Sequence, residues 1–328
     1  MSGAISFRPA TRENVPLLIG LTAGTGGGKT YSALRIASGI AGPGRRFAVI
    51  DTERRRSRYY VEDFAFDVVD MLPPYSPARF LQHLRAAEKA GYPAVVVDST
   101  THEWAGEGGV LAMHDAAVER MAGANADWKR REALNWPAWR EPKEEHRAFV
   151  EGLLQLSIPA VLCFRGKTGL KPGVDPESKK KVMLETPFKA TTSDDLPFEL
   201  TVLLVLSNLK PGTIDFEQPN KISKPVRPFI RDGQLLDEAF GAGLAAWARG
   251  ESAAKGETPP ATAPKRTLGQ LLEDVRRRLH EARDQEAVDA LLAEEETGKL
   301  LKLLQDRQHE QLEPLNREIA ARLQALAA

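Results

Sequence analysis

From Leu17 to about Leu206, short apolar runs alternate with segments whose apolar residues recur at helical spacing. The runs Leu17–Leu21, Phe47–Asp51, Phe66–Val69, Ala94–Asp98, Ala160–Phe164 and Thr201–Leu206 predict strands. Several are unbroken Val/Ile/Leu stretches rather than alternating ones, the pattern of parallel strands buried on both faces. Between them, Thr30–Ile40, Pro77–Ala90, Gly109–Met121 and Pro142–Leu156 predict helices. This alternation predicts an α/β three-layer architecture around a mostly parallel sheet. Pro211–Phe229 is punctuated by Pro and Gly and predicts a short hairpin flanking the sheet, after which Leu236–Ala248 predicts a closing core helix. There is no internal repeat.

The pattern changes at Gly250. Gly250–Pro264 holds Pro259, Pro260 and Pro264 among Ala, Glu, Lys and Thr, with no large apolar residue, and reads as a flexible linker. Beyond it, Leu268, Leu271, Leu272, Val275 and Leu279 follow helical spacing, as do Leu312, Leu315, Ile319, Leu323 and Leu326. The expected division is therefore an α/β domain over 1–249, a linker over 250–266 and a small all-α domain over 267–328. The leucine stripe of that tail is its own core or, alternatively, a face for a protein partner.

Composition narrows the classes. Lys and Arg number 45 and so do Asp and Glu, so any nucleic-acid affinity must come from a local patch. The lone cysteine, Cys163, rules out an internal disulfide and fits a reducing compartment; its apolar setting, Ile158–Phe164, suits a packed strand residue rather than a nucleophile. Met1–Asn14 does not resemble a signal peptide and no apolar run reaches membrane-spanning length, so the expectation is a cytoplasmic protein with no membrane partner. The six histidines are scattered without metal-ligand spacing, which predicts no zinc site.

The most specific chemistry directly follows the first strand. Ala23-Gly24-Thr25-Gly26-Gly27-Gly28-Lys29-Thr30 has the form of a phosphate-binding P-loop. Its glycines allow positive φ and bring backbone N–H groups around phosphate oxygens, and the helix beginning at Lys29 adds free N–H groups and its positive dipole end. Lys29 is expected to reach the β/γ-phosphates and Thr30 to hold Mg²⁺. A plain Gly-rich turn would leave the Lys-Thr spacing unexplained. A second acid site is the run Ala94–Val97 ending in Asp98, a Walker-B arrangement in which the carboxylate orients the Mg²⁺ held by Thr30. Glu53, after Phe47–Asp51, is placed to polarise an attacking water, with Asp51 the alternative; Glu53 could equally pair with Arg54, Arg55, Arg56 or Arg58. Arg165, at the end of the Ala160–Phe164 strand, is a candidate to stabilise charge on the γ-phosphate, or simply the start of a solvated loop.

Together, Ala23–Thr30, Val49-Ile50-Asp51-Thr52-Glu53 and Val95-Val96-Val97-Asp98-Ser99 resemble the RecA-like ATPase core. Glu53–Phe66, Pro73–Pro77 and Asp98–Leu111 are similar to a group of bacteriophage and prophage P-loop ATPases, some of which anneal single strands. The resemblance runs from about Leu17 to Trp247. It implies a RecA-like P-loop NTPase sandwich that binds ATP and Mg²⁺, with Lys29, Thr30, Glu53 and Asp98 as its site. It further implies an oligomeric protein encoded by a phage or prophage, acting on single-stranded DNA in recombination, annealing or replication. The chain departs from the pattern at Arg55, where glycine is expected, and at Pro197-Phe198-Glu199-Leu200, where a Tyr-Glu-Phe triplet is usual. His102 and Trp104, just past Asp98, read as a link between the site and a sensing loop or as plain packing.

In RecA-like proteins, loops leaving the late strands bind single-stranded DNA. Gly166–Asp195 is such a loop and carries Lys167, Lys171, Lys179, Lys180, Lys181 and Lys189, suited to sequence-independent phosphate contact, with a solvated hairpin tip at Lys179–Lys181 the alternative. The Arg54–Arg58 cluster with Tyr59 and Tyr60 is a second basic candidate. Two other functions share the P-loop: a kinase passing the γ-phosphate to a nucleotide or small molecule, and an adaptor using ATP without turnover. No guanine-reading motif follows the late strands, which argues against a GTPase.

Overall fold

The computed structural model of the chain describes residues 9–12, 15–174, 181–251, 268–306 and 312–327. It divides into two compact units, Met1–Ala254 and Lys255–Ala328. In the first, the elements run β1 (Leu18–Ala23), α1 (Lys29–Ala41), β2 (Phe47–Asp51), β3 (Phe66–Asp70), α2 (Pro77–Lys89), β4 (Val95–Asp98), α3 (Thr101–Ala105) and α4 (Val110–Ala122). They continue with α5 (Trp128–Asn135), α6 (Arg140–Leu154), β5 (Ala160–Lys167), β6 (Leu170–Val174), β7 (Lys181–Glu185), β8 (Lys189–Ala190), α7 (Leu196–Glu199), β9 (Val202–Val205), β10 (Lys221–Ile222) and α8 (Glu238–Ala248).

Seven strands lie in the order β10-β9-β1-β5-β4-β2-β3, parallel except for β10, and β8 adds an antiparallel pairing to the end of β5. The unbroken apolar runs are explained by what covers them. Ile19, Val49, Val96, Val161 and Leu204 pack on one side with Leu34 and Ile36 of α1 and Leu244 of α8. Their neighbours Leu18, Ile50, Val95, Val97 and Leu162 pack on the other with Phe80 and Leu84 of α2 and Phe149 and Leu153 of α6. Because successive side chains alternate faces, both sets must be apolar for the sheet to be covered twice. On the first face α1 and α8 approach so closely that a Cβ at Gly241 would meet the Ile36 carbonyl oxygen at 2.2 Å. The Arg35 guanidinium also grips the Glu238 carboxylate with both oxygens, at 2.6–3.0 Å.

Three segments differ from expectation. Pro211–Phe229 is not a hairpin: isolated bridges join Leu206 to Ile214 and Thr213 to Leu235, β10 is a two-residue edge strand on β9, and Lys224–Phe229 is a 3₁₀ turn. Pro219, Pro225 and Pro228 lack the N–H groups that a second full strand would need. The stretch after Arg165 is more ordered than a loop, since β6 and β7 pair antiparallel from Leu170↔Glu185 to Val174↔Lys181. Lys171 and Lys181 sit on these strands, whereas Lys179 and Lys180 lie outside the described residues. The stretch between α4 and α6 adds the short helix α5, whose polar sequence has no apolar periodicity to signal it.

The second unit consists of α9 (Leu268–Glu281), α10 (Gln285–Ala293), α11 (Glu295–Asp306) and α12 (Leu312–Ala327). Leu272, Val275, Leu300, Leu304 and Leu315 form one buried cluster, and Leu279, Ala282, Val288 and Leu291 another. Much of the leucine stripe thus closes on itself. The expected linker falls outside the described residues from 252 to 267. Among the described residues no helix is long and apolar enough to cross a membrane.

Candidate functional site

The carboxyl ends of β1, β2, β4 and β5 converge on one cleft of 790 Å³. Its floor is Ala23–Thr30, and its walls carry Glu53, Arg56, Asp98, Arg165 and three tyrosines, Tyr31, Tyr59 and Tyr60. The P-loop takes its shape from backbone conformations that side chains resist: Gly26 has φ 80° and Gly28 φ 83°, and a Cβ at Gly28 would meet the Gly212 nitrogen at 2.7 Å. Gly28 is the N-cap of α1 and offers no capping side chain. The first amides of that helix therefore point into the cleft as donors for an anion.

Within the cleft the expected residues meet. Lys29 Nζ folds back over the loop and donates to the carbonyls of Ala23 and Gly24, each at 3.1 Å. Thr30 Oγ1 donates to Asp98 Oδ2 at 2.6 Å, joining the end of the P-loop to the end of β4. Burial, with added repulsion from Glu53 and Asp51, pushes the Asp98 carboxyl up to about 6 despite the Thr30 hydrogen bond. A buried carboxylate so disfavoured is a fit for a cation. Among the described residues, however, no cluster of three or more His, Cys, Asp or Glu side chains could hold a metal ion. Thr30 and Asp98 suit a hard cation that brings most of its ligands with it, as Mg²⁺ does when bound to phosphate and water.

Glu53 is held by two cations, the nearer one remote in sequence and the farther one, Arg56, among the neighbours the sequence offers. Arg165 Nη2 lies 2.7 Å from Glu53 Oε1, across from the end of β5, while Arg56 stands 3.9 Å from the other oxygen. Arg55 and Arg58 instead pair with Asp70, at 2.9 and 3.1 Å. Two of the cluster's cations thus share one carboxylate. Asp51 is committed to the turn: it accepts from the amides of Glu53 and Ser57 and from the Ser57 hydroxyl. Of the two acids at the end of β2, that leaves Glu53 lining the cleft. Arg55 adopts φ 69°, so the position where the resemblance implies glycine is one whose backbone favours glycine.

Several partners are invisible in sequence because they join residues far apart. The Tyr31 ring packs against Tyr60 at 5.2 Å and Phe64 at 5.3 Å, giving the cleft an aromatic wall, while Tyr59 is 79% exposed beside it. His102 Nδ1 shares a 2.7 Å hydrogen bond with Thr52 Oγ1 and its ring stacks on Tyr75. Burial, reinforced by the Arg165 charge, holds that imidazole below its usual pKa. Glu103, fully buried, meets His146 Nδ1 at 2.9 Å, and His146 Nε2 meets Ser193 Oγ at 2.8 Å. This chain ties α3 and α6 to the segment before α7. Trp104 packs edge-on to His146 and stacks on Trp139, as expected of a packing residue. Of the late lysines, Lys167 is exposed.

One strand, β5, stands between the P-loop strand β1 and the acid-bearing strand β4, and Glu53 follows β2 on the far side of β4. The fold is a mostly parallel α/β sheet covered on both faces, with a P-loop sequence at the carboxyl end of β1. No protein family and no curated protein matches the chain. Among solved structures it is similar to a KaiC-like protein from the hyperthermophilic archaeon Pyrococcus horikoshii OT3, at 19% identity and a TM-score of 0.25 over 53% of this chain and 78% of that one.

Proposed function

We propose that this chain is a Mg²⁺-dependent ATPase of RecA-like type that works on single-stranded DNA, in recombination, annealing or replication of a phage or prophage, as a homo-oligomer in the host cytoplasm. The observation that carries the reading is the single cleft in which a P-loop, the Thr30–Asp98 hydrogen bond and the Glu53–Arg165 pair face one another. ATP would lay its phosphates on the Gly24–Thr30 amides, with Lys29 exchanging its two carbonyl partners for β/γ-phosphate oxygens. The base would then lie against the aromatic wall of Tyr31, Tyr59 and Tyr60. Thr30 and Asp98 would hold Mg²⁺, which supplies charge neutralisation at the phosphates.

Glu53 accepts a proton from water as the water oxygen bonds to the γ-phosphorus and the bridging β–γ oxygen leaves with ADP. The incoming γ-phosphate competes with Glu53 for Arg165, so the same arginine that neutralises the carboxylate can pass to the developing phosphate charge. Lys167, Lys171, Lys179, Lys180 and Lys181 would add phosphate contacts to DNA. The deciding experiment is phosphate release by the full chain with and without single-stranded DNA. Turnover stimulated by DNA and abolished in Lys29→Ala is expected. Full activity in Lys29→Ala overturns the site, and activity indifferent to DNA removes the DNA reading while leaving the ATPase.

A further inference from the structure

The helix α5 buries none of its side chains, yet it is framed by two tryptophans, Trp128 at 71% and Trp136 at 81% exposure. Isolated exposed apolar residues need no explanation, but tryptophan is the side chain that loses most by facing water. Lys129 and Arg130 stand beside Trp128. Among the described residues neither has an acidic side-chain partner, and the Lys129 ammonium lies 5.9 Å from the Trp128 ring centre. Other cations nearby are spent, Arg131 on Glu119 at 2.8 Å and Arg140 on Glu144 at 3.3 Å. The acids on the helix are Asp127, which caps it by accepting from the Arg130 amide, and Glu132.

The base of this helix is fixed. His114 of α4 meets the Asn135 carbonyl through Nε2 at 3.0 Å, and its ring stacks on Trp139 at 4.2 Å. Trp139 in turn stacks on Trp104 of α3, the helix that follows Asp98. The two exposed rings are therefore carried by a support that leads back to the acid strand of the cleft. Trp136 continues the helical backbone at φ −68° and ψ −49°, so eight residues at ~1.5 Å rise separate the two rings by about 12 Å along the axis.

From this arrangement we infer that Trp128 and Trp136, with Lys129 and Arg130, form a stacking platform for single-stranded DNA, apart from the lysine-bearing segment after β5. Bases stack on exposed aromatic rings without regard to sequence, and free cations beside the rings take the backbone phosphates. A protein partner would call for a contiguous apolar face; α5 has none, since the residues between its tryptophans are Lys129, Arg130, Arg131, Glu132, Ala133, Leu134 and Asn135. The inference rests on the DNA reading proposed above and adds to it a binding surface.

The test uses the full chain, a fluorescent oligothymidylate and anisotropy in the presence of ATP. Trp128→Ala with Trp136→Ala should weaken binding by roughly tenfold or more, and the corresponding Phe pair should restore most of it, because a flat ring remains. Lys129→Ala with Arg130→Ala should weaken binding and flatten its salt dependence, which the tryptophan pair should leave unchanged. Thermal unfolding should be unaltered in all of these variants, since α5 has no buried side chain to lose. If the natural chain binds and the Ala pair binds equally well, the platform is wrong while the DNA reading stands. If that pair instead abolishes self-association in sedimentation, the surface joins copies of this chain and the inference is overturned. A natural chain that binds no oligothymidylate overturns both.

Discussion

At the residue scale the proposed chemistry turns on one ion pair. Glu53 is only 12% exposed and its nearer cation, Arg165, comes from 112 residues away. Glu53→Gln keeps the shape and removes the base, so ATP binding should persist while hydrolysis falls by roughly 10²–10⁴-fold in a steady-state phosphate assay. Arg165→Ala should lower turnover by about 10²–10³-fold through loss of charge stabilisation. The double variant should be little slower than Glu53→Gln alone, because the two groups act as a unit. Additive losses would separate their roles. The P-loop, Asp98 and Glu53 were legible in sequence because each is local: a glycine pattern, an apolar run ending in an acid, an acid just past a strand. The nearer partner of Glu53 was not, since four arginines adjacent in sequence compete for it on paper, and only the fold turns Arg55 and Arg58 toward Asp70, leaves Arg56 at 3.9 Å and brings Arg165 to 2.7 Å.

At the scale of elements, helix ends and turns are tied by side chains that cross between layers. Glu88 of α2 accepts from the Ser157 amide and hydroxyl, both at 2.7 Å, and from Arg85, which also reaches the carbonyl of Gln155. The Ser157 amide, then Arg85 and the Ser157 hydroxyl, hold the Glu88 carboxyl down to about 2. A carboxyl depressed in the folded state stabilises above its unfolded pKa of ~4.3, and the contribution is lost as pH falls from there toward 2. Glu88→Gln should therefore cost about 1–2 kcal/mol near pH 7, read as a drop of about 2–4 °C in Tm per kcal/mol, and the gap to the natural chain should close in acid. A gap that stays constant with pH would assign the effect to shape rather than charge. The strands and long helices announced themselves by unbroken or periodic apolar residues. By contrast α5, β6 and β7 did not, because polar and Gly/Pro-containing segments owe their form to neighbours rather than to their own pattern.

At the scale of the whole molecule, each of the two compact units has buried clusters formed, among the described residues, from its own side chains. Truncation after Gly250 should leave a chain that melts in one cooperative transition and retains nucleotide binding, followed by calorimetry and by ATP titration. Loss of the cooperative transition would place part of the helical unit in the main core. The change in composition at Gly250 is local and visible in sequence, whereas the leucine contacts between the described helices of the tail join residues far apart in sequence. Cys163 is the only cysteine in the chain, it is fully buried in β5, and burial pushes its thiol well above the ordinary range. The natural chain should thus be silent to maleimide dyes. A single cysteine engineered on each unit would accept a fluorophore without removing any native residue from the core, making the separation of the two units during turnover directly measurable by energy transfer.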